Sequence, residues 1–254
     1  MMGRATRPVI GFLLGDASGI GPEIAVKLLS QADTFDEADV LLIGDPSALA
    51  SGERIAGTQL NPLLHEGAAA WRFEPGRVTF LSLPGLGREP VLGTSNVESG
   101  AAAMAALDRA AALARDGVVQ GIVFAPFNKH SLRLGGLAEE DELRHLQRTL
   151  AAPGFVCEFN ITGDLWTSRV TSHVPLRDVA ALITPDAIGD AVRLIDTALR
   201  QAGVAAPRIA VSGLNPHAGD GGSIGMEEIE NQKTRNSRFN KRKICFKRMV
   251  ARCF

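Results

Sequence analysis

The stretch that decides the fold is RPVIGFLLGDASGIGPE, residues 7–23, in which a short apolar run passes directly into a glycine-rich turn. Residues 7–14 are mostly apolar and are followed at once by Gly15-Asp16, which predicts a buried β-strand. Residues 20–31 have the spacing of an amphipathic helix, with proline and glutamate favourably placed in its first turn. A strand, a glycine turn and a helix in immediate succession are typical of an α/β protein.

The same alternation continues along the chain. Further strands are predicted at residues 38–43, 78–83, 121–125, 156–161, 166–171 and 208–212, and further helices at 97–116, 139–151 and 185–201. Residues 52–77 are rich in glycine, proline and leucine without a regular period, and we expect a surface excursion there. The pattern predicts a mostly parallel sheet with its ligand loops at the carboxyl ends of the strands.

Composition bounds the class of protein. Of the 254 residues, 45% are hydrophobic and 22% are charged, which is ordinary for a globular protein. No apolar run approaches the roughly 20 residues needed to span a bilayer. The N-terminus also lacks a long apolar segment with a small-residue cleavage site. We therefore expect a cytoplasmic protein with no membrane partner.

Charge is distributed unevenly along the chain. Residues 231–254 hold nine Lys or Arg and no acidic residue, which leaves 18 basic and 28 acidic residues in 1–230. A basic tail of this kind is one signature of a nucleic-acid-binding arm. The acidic body opposes that interpretation and no binding fold accompanies the tail, so we expect no nucleic-acid partner. The tail shows no sustained period, and we expect it to be disordered and unpaired with the body's strands.

The first loop with chemical potential contains Gly15, Asp16, Gly19 and Gly21, between a strand and a helix. Glycines permit positive φ and close backbone approach, and the free N–H groups of a helix N-terminus attract anions. The alternative is a tight turn that binds nothing. The glycine spacing also resembles that of short-chain dehydrogenases, but these need a catalytic tyrosine and the chain has none.

The second loop contains Asn128 and Lys129, again directly after a predicted strand. A lysine at the start of a helix is electrostatically unfavourable with respect to the helix dipole. A phosphate or carboxylate ligand beside it would relieve this, which makes Lys129 a candidate anion contact. The alternative is a solvated surface lysine.

Two histidines follow predicted strands farther along the chain. His173 lies in TSHVPLRD, and His217 lies with Asn215 in GLNPHAGDGG. Two histidines at strand ends in one α/β body make half of a divalent-metal site. The alternative for each is an ordinary hydrogen-bonded histidine. No residue is identified as catalytic from these patterns.

Taken together, the four loops resemble the 4-hydroxythreonine-4-phosphate dehydrogenase family. GDASGIGPEI is similar to its glycine-rich opening, APFNK to its Pro-x-Asn/His-Lys segment, TSHVPLRDV to its third element and GLNPHAGDGGSIGMEE to its Asn-Pro-His-Ala-Gly signature. The resemblance covers about residues 7–230. It implies the two-lobed fold of isocitrate and isopropylmalate dehydrogenases, with a cleft and without a standard Rossmann fingerprint.

The resemblance also implies a chemistry. His173 and His217 would be two of three histidine ligands to a divalent metal (zinc, magnesium or cobalt), in a cleft at the interface of a homodimer. The reaction would be NAD-dependent oxidation and decarboxylation of 4-phosphohydroxy-L-threonine in pyridoxal phosphate biosynthesis. Related enzymes act on threonate or erythronate phosphates and on aromatic dihydrodiols. We expect the two imidazoles to point into one cleft.

Two departures from the family pattern limit what carries over. Residues 137–143 read LAEEDEL where the family has a substrate-binding Gly-His-Thr-Glu, and an acidic run there would repel a phosphate unless it faces solvent. After Glu230 the family's third metal histidine and remaining substrate residues do not appear. We therefore expect residues 231–254 to be a non-family tail, produced by a frameshift or splice, on an incomplete and catalytically inactive dehydrogenase.

Overall fold

The apolar run of residues 7–14 forms strand β1 (Val9–Leu13), next to the edge of a five-stranded sheet. The other strands are β2 (Asp39–Gly44), β3 (Leu63–Leu64), β4 (Thr79–Ser82) and β5 (Gly121–Phe124). Every pairing is parallel, in the order β3-β4-β2-β1-β5. The predicted parallel α/β architecture is confirmed.

This computed structural model describes residues 7–65, residues 70–229 and the backbone of residues 244–247. The chain divides into two units, one ending at Ala152 and the other beginning at Pro153. The first unit carries the helices α1 (Gly21–Leu29), α2 (Pro46–Ala56), α3 (Val97–Arg115), α4 (Lys129–Leu134) and α5 (Glu142–Thr149).

Both faces of the five-stranded sheet are covered by helices. Phe12, Leu42 and Phe80 pack with apolar residues of α1 and α2 on one face. Leu13 and Leu41 pack with residues of α3 on the other. A strand buried on both sides needs apolar residues at every position, because successive side chains point to opposite faces. This explains why the strands appear in the sequence as continuous apolar runs.

The connections reverse direction beside β1. Helix α1 leads from β1 to β2 on one side, whereas α3 carries the chain from β4 back across the sheet to β5 on the other side of β1. Ligands of open α/β sheets bind outside the carboxyl ends of the strands at such a switch point. The loops that follow β1 and β5 lie at this position.

The prediction of an irregular excursion over residues 52–77 is wrong for the first residues of this range. Helix α2 runs through Gly52, and the short strand β3 follows. A glycine inside a helix is normally unfavourable, but a Cβ at Gly52 would lie 2.6 Å from the carbonyl oxygen of Pro22. Helix α1 therefore packs against α2 through a glycine contact, and this tertiary requirement obscures the helix in the sequence.

Helices α3 and α4 approach each other through a second glycine contact. A Cβ at Gly100 would overlap the carbonyl oxygen of Ser131, and a Cβ at Gly135 would overlap the backbone of Gly100. The missing side chains let the two backbones touch. This contact fixes α4, whose first residue is Lys129, against the long helix α3.

A buried carboxylate joins the end of β2 to the segment after β4. Asp45 accepts hydrogen bonds from the N–H of Ser47 at 2.7 Å, which caps α2, and from the N–H groups of Gly85 and Leu86 at 2.7 and 2.9 Å. Burial alone raises the pKa of Asp45, but the hydrogen bonds from Leu86, Gly85 and Ser47 outweigh it, and the net pKa lies below its ordinary value.

The second unit has little buried surface of its own. It contains the antiparallel hairpin β6 (Asn160–Thr162) and β7 (Leu165–Thr167), helices α6 (Leu176–Leu182) and α7 (Pro185–Gln201), and strand β8 (Ile209–Ser212). Helix α6 buries none of its residues, and Leu176 is 88% exposed. Strands β6 and β7 are shorter than predicted from their apolar runs. In the described part of the chain, no helix has the length and apolarity to cross a membrane.

The expected lack of strand pairing in the tail is wrong. Strand β9 (Ile244–Lys247) pairs in parallel with β8, with Ile209 opposite Ile244. An open strand edge presents unpaired N–H and C=O groups, and a short β-prone run such as Ile-Cys-Phe satisfies them. The remainder of residues 231–254, on which the expectation of disorder rests, lies outside the described residues.

Gly100→Ala is expected to destabilise the first unit. Gly-to-Ala in a helix interior ordinarily stabilises by about 1 kcal/mol, whereas forcing a methyl into a filled space costs about 1–3 kcal/mol. A decrease in the free energy of unfolding, in place of the ordinary increase, would therefore indicate that the backbones of α3 and α4 are in contact at Gly100. Urea unfolding followed by Trp71 fluorescence in a Trp166→Phe background reports on this unit. Gly85→Ala is the control, because a Cβ there meets nothing within 4 Å; equal effects of both substitutions would contradict the contact.

Asp45→Asn is expected to lower the free energy of unfolding by about 1–3 kcal/mol at pH 7, since hydrogen bonds to a charged group are replaced. Because the folded-state pKa of Asp45 is depressed, its contribution is fully present above the ordinary value of 3.8 and is lost as the pH falls through the folded-state pKa. Unfolding curves of the two proteins should therefore converge at acid pH. Asp36→Asn, at an exposed position, should show neither effect.

Candidate active site

The loops that follow β1 and β5 touch along their backbones at the switch point. The N–H of Asp16 donates to the carbonyl of Pro126 at 3.0 Å, and the N–H of Ala125 donates to Leu13 at 3.0 Å. The structure thus brings the first two predicted loops together, as expected for adjacent parallel strands.

The glycines of the first loop make room for this chain's own backbone. Gly15 has φ of 76°, and a Cβ there would lie 2.6 Å from the carbonyl oxygen of Pro126. A Cβ at Gly21 would overlap the carbonyl oxygen of Leu14, whereas one at Gly19 would make ordinary contacts with Asp16. Internal packing therefore accounts for Gly15 and Gly21, and their contact with a ligand stays a prediction.

A polar network that the sequence patterns did not reveal holds the first loop from its outer side. The hydroxyl oxygens of Ser18 and Ser99 lie 2.7 Å apart, and the side-chain amide of Asn96 donates to Ser18 at 2.9 Å. The N–H of Gly93 donates to the carbonyl of Ser18 at 2.8 Å. Asn96 also caps α3. An asparagine directly before a predicted helix was the one sign of this network in the sequence.

Asp16 is the buried ionisable group of this loop, with 4% of its surface exposed. Its carboxylate accepts a hydrogen bond from the N–H of Ser18 at 3.0 Å. Burial raises the pKa of Asp16, and the hydrogen bond from Ser18 offsets part of that rise. A carboxyl group with a raised pKa at a switch point is a candidate for proton exchange with a ligand.

The second predicted loop is engaged by neighbouring residues. Asn128 caps α4 and donates from its side-chain amide to the hydroxyl of Ser95 at 3.0 Å. The ammonium of Lys129 lies 3.2 Å from a carboxylate oxygen of Glu142. Glu142 belongs to the acidic run that departs from the family pattern, so the candidate anion contact already has a carboxylate partner.

Two other acidic residues of that run, Glu139 and Asp141, also have structural partners. Glu139 bonds to His145 at 3.1 Å and to Arg148, and these hydrogen bonds hold the pKa of Glu139 below its ordinary value. Asp141 is buried and caps α5. The second ring nitrogen of His145 lies 2.6 Å from Asp108 of α3. His145 thus links α5 to α3, and the charges of Glu139 and Glu142 are compensated within the first unit, whereas Glu140 is exposed.

The two candidate metal ligands lie in the second unit. His173 precedes α6, and His217 follows β8; both have left-handed backbone conformations, with φ of 57° and 54°. Among the described residues, no group of three or more His, Cys, Asp or Glu side chains is arranged to hold a metal ion. The histidines therefore do not belong to a complete ligand set there, and their convergence stays a prediction.

Asn215 anchors the loop that carries His217. Its N–H donates to Glu228 at 2.6 Å, and its side-chain amide donates to Glu227 at 2.7 Å and Glu228 at 3.0 Å. Burial alone raises the pKa of Glu228, but these hydrogen bonds from Asn215 outweigh it, and the net pKa lies below its ordinary value. Residues 217–221 all have positive φ, which costs about 1–2 kcal/mol for each non-glycine residue.

Comparison with known protein families identifies the relatives of this chain. The family model described as pyridoxal phosphate biosynthetic protein PdxA matches residues 36–245. That match enters the segment expected to be a non-family tail and ends within β9. It covers most of the chain, including the second predicted loop and both candidate histidines.

Individual relatives are similar over most of the chain. The “Putative 4-hydroxythreonine-4-phosphate dehydrogenase 2” of Pseudomonas aeruginosa is 40% identical over 245 residues, covering 90% of this chain and 68% of the relative. The D-threonate 4-phosphate dehydrogenase of Cupriavidus necator is 34% identical, covering 88% and 67%. The chain thus spans about two thirds of these curated relatives.

A solved structure supports the same assignment. The crystal structure of 4-hydroxythreonine-4-phosphate dehydrogenase from Klebsiella pneumoniae has a TM-score of 0.79 and 29% identity, covering 95% of this chain and 74% of that one. With the family model matched over residues 36–245 and relatives up to 40% identical, this chain belongs to the pyridoxal phosphate biosynthetic protein PdxA family.

Proposed function

We propose that this chain is part of an NAD-dependent dehydrogenase that oxidises the hydroxyl of a phosphorylated hydroxy acid. It would carry loops that bind the substrate. The first candidate substrate is 4-phosphohydroxy-L-threonine, whose oxidation and decarboxylation would serve pyridoxal phosphate biosynthesis. Relatives named as dehydrogenases of such phosphates support the substrate class. The observation that carries the proposal in this chain is the meeting of the β1 and β5 loops at the switch point of the sheet.

The residues of the first unit supply anion recognition in this proposal. Lys129 begins α4 beside the switch point, and its side chain is 53% exposed. A phosphate that reaches Lys129 must replace Glu142 as its partner. The Glu142 side chain is only 15% exposed, but the lysine end of the pair faces solvent. Ion pairs with a solvent-exposed partner contribute on the order of 1 kcal/mol, so a doubly charged phosphate can compete. Buried Asp16 is the group placed to exchange a proton with the substrate.

The redox step needs an acceptor that the chain does not contain. NAD, when bound, would accept the hydride from the hydroxyl-bearing carbon. Because packing already accounts for Gly15 and Gly21, the glycine loop gives no independent support for a dinucleotide there. The NAD requirement of the proposal therefore rests on family membership.

A second candidate substrate is D-threonate 4-phosphate. The Cupriavidus necator relative is named for it, and residues 137–143 of this chain differ from the expected Gly-His-Thr-Glu pattern. In place of a histidine and threonine for the substrate, this segment offers carboxylates bound to His145, Arg148 and Lys129. A changed substrate segment favours a changed hydroxy acid, with erythronate 4-phosphate and aromatic dihydrodiols as the other family alternatives.

The remaining parts of the proposal concern assembly. The division at Ala152 supports two lobes of the isocitrate dehydrogenase type. The homodimer and the zinc, magnesium or cobalt ion of this proposal follow from the family. Among the described residues, no group of three or more side chains is arranged to hold such an ion. We also propose that the 254-residue chain alone has little or no activity, as a non-catalytic remnant would.

We expect the 254-residue chain to be inactive and a chimera that appends the C-terminal third of the Pseudomonas aeruginosa relative to residue 229 to be active. The added third should supply a missing metal ligand, and loss of one ligand lowers metal affinity or activity by at least about 10–100-fold. NADH formation is measured with the three phosphorylated acids and each metal. Turnover by the unextended chain near 1 per second, a rate typical of enzymes, would contradict this expectation.

In that active chimera, Glu142→Gln is expected to lower the KM for the phosphorylated acid about two- to fivefold, because the carboxylate that competes with the phosphate for Lys129 is removed and such a pair is worth on the order of 1 kcal/mol. Lys129→Met should raise the KM. Glu140→Gln, an exposed position in the same acidic run, is the matched control and should leave the KM unchanged. Equal KM values in all three variants would mean that Lys129 does not contact the phosphate.

A further inference from the structure

The carboxylate of Glu228 lies inside the loop that carries His217. Only 5% of the residue surface is exposed, and one oxygen accepts the N–H of Asn215 at 2.6 Å. The other oxygen accepts the side-chain amide of Asn215 at 3.0 Å. A buried carboxylate is costly unless hydrogen bonds compensate it, and here both oxygens are used by one residue of the loop.

The backbone between Asn215 and Glu228 has an uncommon conformation. Residues 217–221 form five consecutive left-handed residues, of which three are not glycine. Left-handed residues normally occur singly in L-peptides. Conformations of this kind persist when the surrounding structure holds them, and they cluster at functional sites. Within the loop, the N–H of Ala218 donates to Asn215 at 3.1 Å and that of Ile224 to Gly219 at 3.1 Å.

Three glycines make the space for the anchoring groups. A Cβ at Gly213 would lie 3.3 Å from one carboxylate oxygen of Glu228, and a Cβ at Gly219 would lie 3.3 Å from the other. A Cβ at Gly225 would overlap the side-chain amide of Asn215. Packing around the Glu228 carboxylate and the Asn215 amide therefore accounts in part for these three glycines, and the atom nearest to a Cβ at Gly219 is the carbonyl oxygen of Gly225.

We infer that Glu228 is the positioning residue for His217: by binding Asn215, its carboxylate holds residues 217–221 in the left-handed conformation that presents this exposed histidine. The inference rests on the proposed role of His217 as a ligand-binding residue. Glu228 acts through Asn215 and touches no reacting group. The inference adds to the site a residue eleven positions beyond His217 and its Asn-Pro-His motif.

The chemistry requires a carboxylate at this position. Both oxygens of Glu228 accept hydrogen bonds, and both donors belong to Asn215. A glutamine would keep one acceptor but would direct its NH₂ group at a donor. Glu227 provides the internal comparison, since it accepts only from the side-chain amide at 2.7 Å and is less buried. A glutamine at 227 can still accept that hydrogen bond through its carbonyl oxygen.

The test is NMR of the full chain without added metal. The protein has five histidines, so the Cε1–H resonance of His217 can be assigned with a His217→Gln variant. Glu228→Gln and Glu228→Ala should move this resonance toward its position in an unstructured peptide and should speed amide exchange at Ile224 at least tenfold. The His173 resonance should stay in place. Glu227→Gln, the matched control, should leave the His217 resonance and the exchange rate as they are.

An unchanged His217 resonance in both Glu228 variants would overturn the inference. Should the variants fail to fold, backbone ¹³C shifts of the native protein decide it, because native φ values that are negative at His217 and Ala218 would also overturn it. The proposed function is tested separately by zinc titration of the native chimera. Absence of zinc binding there would remove the metal role of His217 and leave the loop measurement unaffected.

Discussion

The first unit depends on close packing between two backbone segments, the one that follows β1 and the one that follows β5. The turn after β1 lies so close to Pro126 that Gly15 must lack a side chain, and Gly21 must lack one beside Leu14. These contacts fix where α1 begins and where the segment leading to Lys129 runs. The loops that a ligand would meet are therefore held by main-chain packing before any side-chain chemistry is considered.

The ion pairs of the acidic run around Lys129 affect which ligands those loops could bind. An acidic run beside a candidate phosphate contact looks unfavourable as a sequence, but Glu139 and Asp141 are used to attach and cap α5. Only Glu142 bears directly on Lys129. The lysine is thus held in place by a carboxylate partner, which any anionic ligand would have to replace.

The second unit relies on polar anchoring, because it buries few apolar side chains. Helix α6 has no buried residue, whereas Glu228 is almost fully buried. In a segment with so little apolar packing, a carboxylate that satisfies two donors of Asn215 is a major constraint on the backbone around His217. Gly213, Gly219 and Gly225 lie against these anchoring groups, as Gly15 and Gly21 of the β1 turn lie against backbone.

The sequence alone determined most of the strands and helices, the parallel α/β class and the family, because apolar periodicity and glycine turns are local and the four motifs keep their order. It did not reveal α2, whose Gly52 exists for contact with α1, or the pairing of β9 with β8. The partners of Lys129 and Asn215 were equally hidden. Each of these depends on which residues meet across the fold, and only the tertiary structure decides that, since hydrogen bonds and close packing act over a few ångströms in space.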